Sequence, residues 1–342
     1  MRIGLTYDLR SEYRALGFGE EEVAEFDREE TIEAIERTLQ ELGHETERIG
    51  NIRRLVERLA AGRRWDLVFN IAEGLHGVGR EAQVPALLDA YRIPYTFSDP
   101  LVLSLTLHKA MAKRVVRDAR IPTAPFAVVE EPDEAARVRF GGPYFVKPVA
   151  EGTGKGVTAR SVVRRRRDLP EACGRLIRDY RQPALVEAFL PGREFTVGLA
   201  GTGREARVIA TVEVLLLAGA EEAVYSFHNK EHFEELVRYR RVTPREDPLI
   251  GEVERVALEA WRVLGCRDAG RLDVRCDRRG RPCFLEVNPL AGLHPEHSDL
   301  PILCRLAGVS FERLISWVLE SAGRRVGETA DAPRRDADRD RP

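Results

Sequence analysis

The residues with the strongest chemical signature lie in the segment RLDVRCDRRGRPCFLEVN, where Arg271, Asp273, Glu286 and Asn288 flank a turn-like tetrad, Asp277-Arg278-Arg279-Gly280. A two-residue loop at Arg279-Gly280 places Asp273 opposite Glu286 and Arg271 opposite Asn288. Side chains two apart on a strand share a face, so all four converge. Two carboxylates and an amide oxygen side by side suit a hard cation, Mg²⁺ or Mn²⁺, that takes oxygen ligands and holds substrate phosphates. The Arg271 guanidinium beside that ion suits an anionic phosphoryl oxygen or a tetrahedral intermediate. The competing reading is a surface hairpin with solvated charge pairs. Leu272, Val274, Phe284, Leu285 and Val287 argue for a packed strand pair, in which idle inward carboxylates are costly.

A second set lies upstream. Tyr144, Phe145 and Val146 form an apolar run ending in Lys147-Pro148, and then comes AEGTGKGV, from Ala150 to Val157. Gly152, Gly154 and Gly156, alternating with Thr153 and Lys155, let backbone N–H groups approach phosphate oxygens closely. The segment is neither a Walker A loop, since no Ser or Thr follows Lys155, nor a Rossmann turn. A plain hairpin tip is the alternative. Lys147 sits among apolar residues, where an unpaired ammonium is costly and a nucleotide phosphate is a natural partner. Lys109 lies on an amphipathic helix, where a solvated lysine competes with the same role. LVEAFLPGREF offers an extended segment bearing Glu187, then a Pro-Gly turn, then Glu194; the exposed backbone of such a segment could read an adenine edge, and a carboxylate at the turn could accept both ribose hydroxyls.

These groups need a scaffold. Apolar strands near Arg2–Tyr7, Trp65–Ile71 and Ile93–Phe97 alternate with helical patterns after Asp27 and over Glu81–Tyr91, which predicts a parallel, doubly wound α/β sheet. After a predicted helix near Leu107–Arg117 the pattern changes to paired extended segments with interposed helices, an α+β arrangement. A helix over Leu249–Leu264, the hairpin over Arg271–Asn288 and two final helices complete the chain. The tail from about Gly323 lacks apolar periodicity and is expected to be disordered.

Composition narrows the class. The 342 residues carry 54 basic and 56 acidic side chains, a net charge of −2, which argues against a dominant nucleic-acid or membrane-surface role. The arginines at 164–167 read as a solvated face, with no interleaved aromatics. Five cysteines without a CxxC pair point away from a disulfide framework or structural zinc and toward the cytoplasm. No apolar signal core or membrane-length stretch is present.

The order Lys109, Lys147, Gly-rich loop, Glu187 to Glu194, then Arg271/Asp273/Glu286/Asn288 resembles the ATP-grasp superfamily, most closely the D-alanine–D-alanine ligase group. The resemblance runs from about residue 1 to 322 through IPYTFSDP, LTLHKAMAKRVV, YFVKPVAEGTGKGV, LVEAFLPGREFTV, GRLDVRCD and FLEVNPLAGL. It implies an N-terminal doubly wound, pre-ATP-grasp substrate domain over 1–104. A central ATP-grasp lobe over 105–190, a C-terminal lobe with the metal site over 191–322, and the tail over 323–342 would follow. By resemblance, Lys109, Lys147 and the Gly152–Gly156 loop hold ATP phosphates. Residues 187–190 contact adenine, Glu194 the ribose, and Asp273, Glu286 and Asn288 the metal. Arg271 and the backbone near Gly292 form the oxyanion hole. Lys230 falls on a phosphate-binding and catalytic lysine, Ser298 near a substrate carboxylate, and Glu25 on the amine-binding glutamate. A homodimer is expected through the family alone.

The implied reaction is ATP-dependent joining of a carboxylate to an amine through an acyl-phosphate. Departures lie in the substrate loops: Thr153-Gly154 replaces a pair of serines, Glu231 a tyrosine, HGVGREAQ the usual HGxxGEDG, and LEVNPLAGLHPEHS an asparagine-threonine-proline-glycine run. A ligase of the same mechanism acting on another amino acid or small carboxylate, in specialised metabolism, is therefore the second reading. A nucleotide-binding protein without catalysis is the third. His76, His294 and His297 read as surface histidines near loops that could face the site.

Overall fold

The structure, a computed structural model, describes residues 1–217 and 236–331. Period-two alternation builds the first sheet. Ile3 and Leu5 of β1 (Arg2–Thr6) enter one core with Leu67 and Phe69 of β3 (Leu67–Asn70), while Val68 enters the core on the other face. Gly4 also faces that second side, where a Cβ would lie 2.5 Å from Ile49 Cδ1. β2 (Glu45–Gly50) completes a parallel sheet in the order β2-β1-β3. Parallel neighbours need crossovers. Helix α2 (Glu29–Glu41) supplies one, burying Ile32, Ile35 and Leu39, and α3 (Ile52–Ala60) supplies the next, burying Leu55 and Leu59 on the opposite face. A short helix, α1 (Arg10–Ala15), leads from the end of β1, and α4 (Gln83–Ala90) follows β3.

The strand expected at Ile93–Phe97 reduces to one bridge between Tyr95 and Val68. Phe97 takes a φ of 69° and donates its N–H to Asp268 at 2.6 Å, which pulls the chain out of the sheet. The helix expected near Leu107–Arg117 is two helices, α5 (Pro100–Leu107) and α6 (Lys109–Asp118). His108 breaks them with a ψ of 88°, and its ring accepts the Met111 N–H. Lys109 therefore opens the second of these helices.

The second sheet is antiparallel, β4 (Phe126–Val129), β5 (Tyr144–Pro148), β6 (Val162–Val163) and β7 (Ala184–Ala188), in the order β4-β7-β5-β6. Helix α7 (Leu169–Tyr180) covers one face, packing Leu176 against Val146 and Val186. The third sheet runs β10-β9-β8-β11-β12: β8 (Glu194–Ala200), β9 (Arg207–Leu216), β10 (Val237–Val242), β11 (Ala269–Cys276) and β12 (Pro282–Asn288). Helix α8 (Leu249–Leu264) lies on it with Trp261 fully buried. Helices α9 (Asp299–Leu306) and α10 (Phe311–Asp331) end the described chain.

Two segments pack away from their neighbours in sequence. Ala112, Val116 and Ile121 join the core beneath the five-stranded sheet, although the sequence assigned residues 105–121 to the central lobe. Leu314, Ile315 and Val318 of α10 join the core of the parallel sheet. The terminal helix also corrects the expected start of the disordered tail, since it continues past Gly323 to Asp331. Arg325 explains the extension: its guanidinium grips buried Asp268 through both nitrogens, Nη2 at 2.9 Å, and Tyr95 O at 3.1 Å. Residues 332–342 lie outside the described residues.

Candidate active site

β11 and β12 bring Arg271 opposite Asn288 and Asp273 opposite Glu286, as the sequence predicts, but by a different route. The turn is a three-residue loop, Arg278-Arg279-Gly280, closed by Asp277 N–H to Arg281 O at 2.9 Å, with Gly280 at φ +76°. That loop alone would slip the register by one residue and turn every side chain to the wrong face. A bulge between Asp273 and Val274 leaves Leu285 as the extra residue on β12 and restores the pairing.

The acceptors on this face meet cations. Asp273 accepts from Thr196 Oγ1 at 2.8 Å and pairs with Arg271. Arg271 also holds Asp299 at 3.1 Å, and the Asn288 amide oxygen accepts from its Nη2 at 3.1 Å. Burial works against the Arg271 charge, yet Asp273, Asp299 and Glu286 raise its pKa. Glu286 faces Lys147 at 3.2 Å and Lys109 at 3.8 Å. Asp273, Glu286 and Asn288 are hard oxygen donors on adjacent strands, a set that fits Mg²⁺. No three His, Cys, Asp or Glu side chains gather as a metal cage among the described residues. A Mg²⁺ ion here would complete its shell with phosphate oxygens and water, as this ion commonly does.

Lys147 projects from β5 into a buried line of charge. Glu187 on β7 is 2% exposed and stands 3.3 Å from Lys147 and 2.7 Å from Lys113, itself fully buried on α6. Burial raises the Glu187 carboxyl, but the two lysines hold it below its usual range. Burial lowers Lys113 and Lys109, whereas Glu187 and Glu286 lift Lys147 above its ordinary value against the same burial. Lys113 was missed in the sequence, although it lies one helical turn after Lys109. Beside this line, Phe145, Phe189, Leu190 and Leu285 wall a narrow cleft of about 80 Å³ between the two antiparallel sheets. Ala188 and Phe189 spend their N–H groups on Pro125 O and Pro143 O. The Leu190 N–H has no partner among the described residues. Glu194 lines the same cleft and accepts from Arg275 at 3.0 Å.

The glycine loop lies between this cleft and a larger one. Thr153, Gly154 and Gly156 take positive φ (47°, 77° and 71°), and a Cβ on Gly152 would meet Glu25 Oε1 at 2.5 Å. Glu25 accepts the Gly152 N–H at 2.6 Å, and Arg80 at 3.0 Å and Lys155 at 3.4 Å neutralise it. Lys155 also reaches Glu151 at 3.5 Å, and Lys109 donates to the Glu151 carbonyl. Arg80, in the divergent HGVGREAQ segment, was missed as a site residue; an arginine in a loop that follows a buried strand was the available signal.

The larger cavity, about 460 Å³, is lined by Glu25, Asp27, Glu73 and Glu81 together with Arg271, Asn288 and Ser298. Gly292 packs against Ser298, whose hydroxyl accepts the His294 N–H at 3.0 Å, and His294 and His297 stand at the cavity wall. His76 is exposed. Lys230 and Glu231 lie outside the described residues. Burial first, then Asp8, pushes the Asp27 carboxyl up to about 8, against Arg10. A raised carboxyl favours the folded state at low pH, an advantage lost as pH rises from the unfolded value toward 8. Asp27→Asn is therefore expected to raise the melting temperature more at pH 8 than at pH 5. An equal change at both would contradict the assignment.

Comparison with known proteins sets this geometry in context. Residues 115–320 match the family model described as D-ala D-ala ligase C-terminus. An uncharacterised protein of Sinorhizobium fredii is 33% identical over 303 residues, covering 86% of this chain and 87% of the relative. A D-alanine–D-alanine ligase of Bordetella avium is 32% identical, covering 75% of this chain and 79% of its own length. In fold, the chain is similar to a D-alanine–D-alanine ligase of Bacillus anthracis complexed with ATP. The TM-score is 0.68 at 19% identity, over 96% of this chain and 99% of that one.

Proposed function

The chain belongs to the D-alanine–D-alanine ligase family, and from that premise we propose how its residues divide the work and which substrates they serve. It is an ATP- and Mg²⁺-dependent ATP-grasp ligase that joins a carboxylate to an amine through an acyl-phosphate. One observation supports the assignment of roles above the others. The corrected register of β11 and β12 turns Arg271, Asp273, Glu286 and Asn288 together, with Glu286 within 3.2 Å of Lys147.

Asp273, Glu286 and Asn288 would hold the metal, which when bound neutralises phosphate charge and polarises the transferred group. Lys109, Lys147 and the Gly152–Gly156 loop, with Thr153 and Lys155, face the phosphates. Their positive charges favour attack by the acid's carboxylate oxygen on the γ-phosphorus, largely by positioning and electrostatics. Glu187 keeps both Lys113 and Lys147 charged and in place. The backbone of residues 187–190, with its open Leu190 N–H, faces adenine, and Glu194 the ribose. In the second step Arg271 and the backbone near Gly292 stabilise the oxyanion formed as the amine attacks, and phosphate leaves. Ser298 takes the carboxylate of the second substrate, and Lys230 serves with the phosphate-binding lysines.

The substrates are two amino acids, with D-alanine the first candidate from the names of the relatives. The occupied Glu25, closed off by Arg80 and Lys155, favours the second reading, a different amino acid or small carboxylate. We place the enzyme in the cytoplasm, where ATP is made and five buried free cysteines stay reduced. No helix of the described chain is long and apolar enough to cross a membrane. The homodimer expected by resemblance is tested by light scattering.

The deciding assay combines ATP, Mg²⁺ and a panel of D- and L-amino acids, reading phosphate release and product mass. Phosphate with D-alanine alone and a dipeptide product supports the first substrate reading. Activity confined to other amino acids supports the second, and none with any pair contradicts catalysis.

A further inference from the structure

We propose that Lys113 is a positioning residue for the nucleotide: it ties the strand of the metal ligands to the strand of Glu187, and it balances that carboxylate so that the charge of Lys147 serves the phosphates. The proposal rests on the ligase reading above and deepens it. Lys113 is fully buried on α6, whose Ala112 and Val116 pack into the core of the five-stranded sheet. Its ammonium stands 2.7 Å from Glu187 Oε1, and it donates to Thr123 Oγ1 at 3.0 Å and to Phe284 O at 3.3 Å. Thr123 donates to the same carbonyl at 2.9 Å, and Phe284 donates its N–H to Pro122 O at 2.7 Å. These bonds close the outer edge of β12, the last strand of its sheet, just before Glu286. Glu187 lies on β7 of the four-stranded sheet. One ammonium therefore joins the two sheets that enclose the nucleotide cleft. Among the described residues Lys147 and Glu187 line that cleft and Lys113 does not, which separates it from the lysines that face ATP.

Charge gives the second half of the argument. Lys113 and Lys147 bracket Glu187, the first on Oε1 and the second on Oε2 at 3.3 Å. Lys147 continues to Glu286 at 3.2 Å, so two lysines and two glutamates alternate and cancel. Burial raises the Glu187 carboxyl, and Lys113, ahead of Lys147, brings it below its usual range. Without Lys113 the whole carboxylate charge falls on Lys147, which already faces Glu286. An ammonium held by two unshared carboxylates attracts a polyphosphate less strongly, and salt screens buried charges weakly. Removing the Glu187 charge together with Lys113 restores the balance. Replacing both members of a buried pair is also tolerated better than removing one. The second substitution is therefore expected to repair the first, which a role in packing alone would not produce.

Titration calorimetry of ATP with Mg²⁺, in the absence of amino acid, is carried out on the unmodified protein, Lys113→Met and Lys113→Met/Glu187→Gln. The ATP dissociation constant is expected to rise about tenfold or more in Lys113→Met, the order set by one uncompensated buried charge near the phosphates. The double variant is expected to bind ATP at least about threefold more tightly than Lys113→Met and to melt at a higher temperature. In each variant that turns over, the KM for the amino acid at saturating ATP is expected to be unchanged. Should Lys113→Met not fold, Lys113→Gln, which keeps an N–H for the Phe284 carbonyl, takes its place. A folded Lys113 variant that binds ATP within about twofold of the unmodified protein overturns the proposal, and so does a double variant no better than the single one. If the unmodified protein binds ATP but releases no phosphate with any amino acid, the ligase reading fails and calorimetry still decides Lys113. If it binds no ATP, both fail.

Discussion

Asp273→Asn is expected to lower kcat by about 100- to 10,000-fold, since a metal ligand's charge carries several kcal/mol of transition-state stabilisation. Asparagine keeps the volume of the side chain and an oxygen for Thr196 Oγ1, 2.8 Å away in the native site. Arg271 retains Asp299 and Asn288 as partners, so the sheet should not open. What disappears is one of the two carboxylate charges that β11 and β12 place side by side. Far-UV circular dichroism and the melting temperature check the fold, and steady-state phosphate release checks the rate. A folded variant with undiminished turnover would remove Asp273 from the metal site, and Glu286→Gln offers the same test from the facing strand.

The second large effect belongs to Arg271→Lys. The guanidinium reaches Asp273, Asp299 and the Asn288 amide at once, a planar fork that a single ammonium cannot reproduce. Removing one oxyanion donor typically costs about 10²- to 10³-fold in kcat, and a fall of that order is expected with the KM for ATP little changed. Retained positive charge limits damage to the acidic surroundings, which separates this variant from Arg271→Ala. There, Asp273 and Asp299 would be left facing each other in a buried site. An equal rise in the KM for ATP with kcat intact would assign Arg271 to nucleotide binding instead.

How far the sequence announced this site depends on the range of the interaction. The β11–β12 pairing was legible because the two-residue turn read from the sequence predicts the same register as the three-residue loop and its compensating bulge. The turn itself was misjudged, and the bulge at Leu285 that compensates for it leaves no mark in a pattern of apolar and polar residues. Lys147 was legible as a cation in an apolar strand, but its protein partners were not: Glu187 and Glu286 come from two other strands. Lys113 has the appearance of a solvated helix lysine until α6 is seen packed on β12, where its ammonium reaches Phe284 O at 3.3 Å. The Arg80–Glu25 pair joins two loops far apart in sequence, and only the folded parallel sheet brings them together. Resemblance named Glu25; the structure shows what holds it. The same kind of long-range anchor, Arg325 on Asp268, carried the last helix beyond the point where periodicity fades.

An acyl-phosphate forms only if the acid's own oxygen attacks phosphorus before the amine attacks the carbonyl. Single-turnover reaction of the carboxylate substrate labelled with ¹⁸O in both oxygens, with ATP, Mg²⁺ and the amine, tests it directly by mass spectrometry of the phosphate. The expected result is one ¹⁸O in each inorganic phosphate released and the other in the amide carbonyl. Unlabelled phosphate, or labelled AMP in place of labelled phosphate, would contradict an acyl-phosphate and with it the roles given to Arg271, Asp273, Glu286 and Asn288.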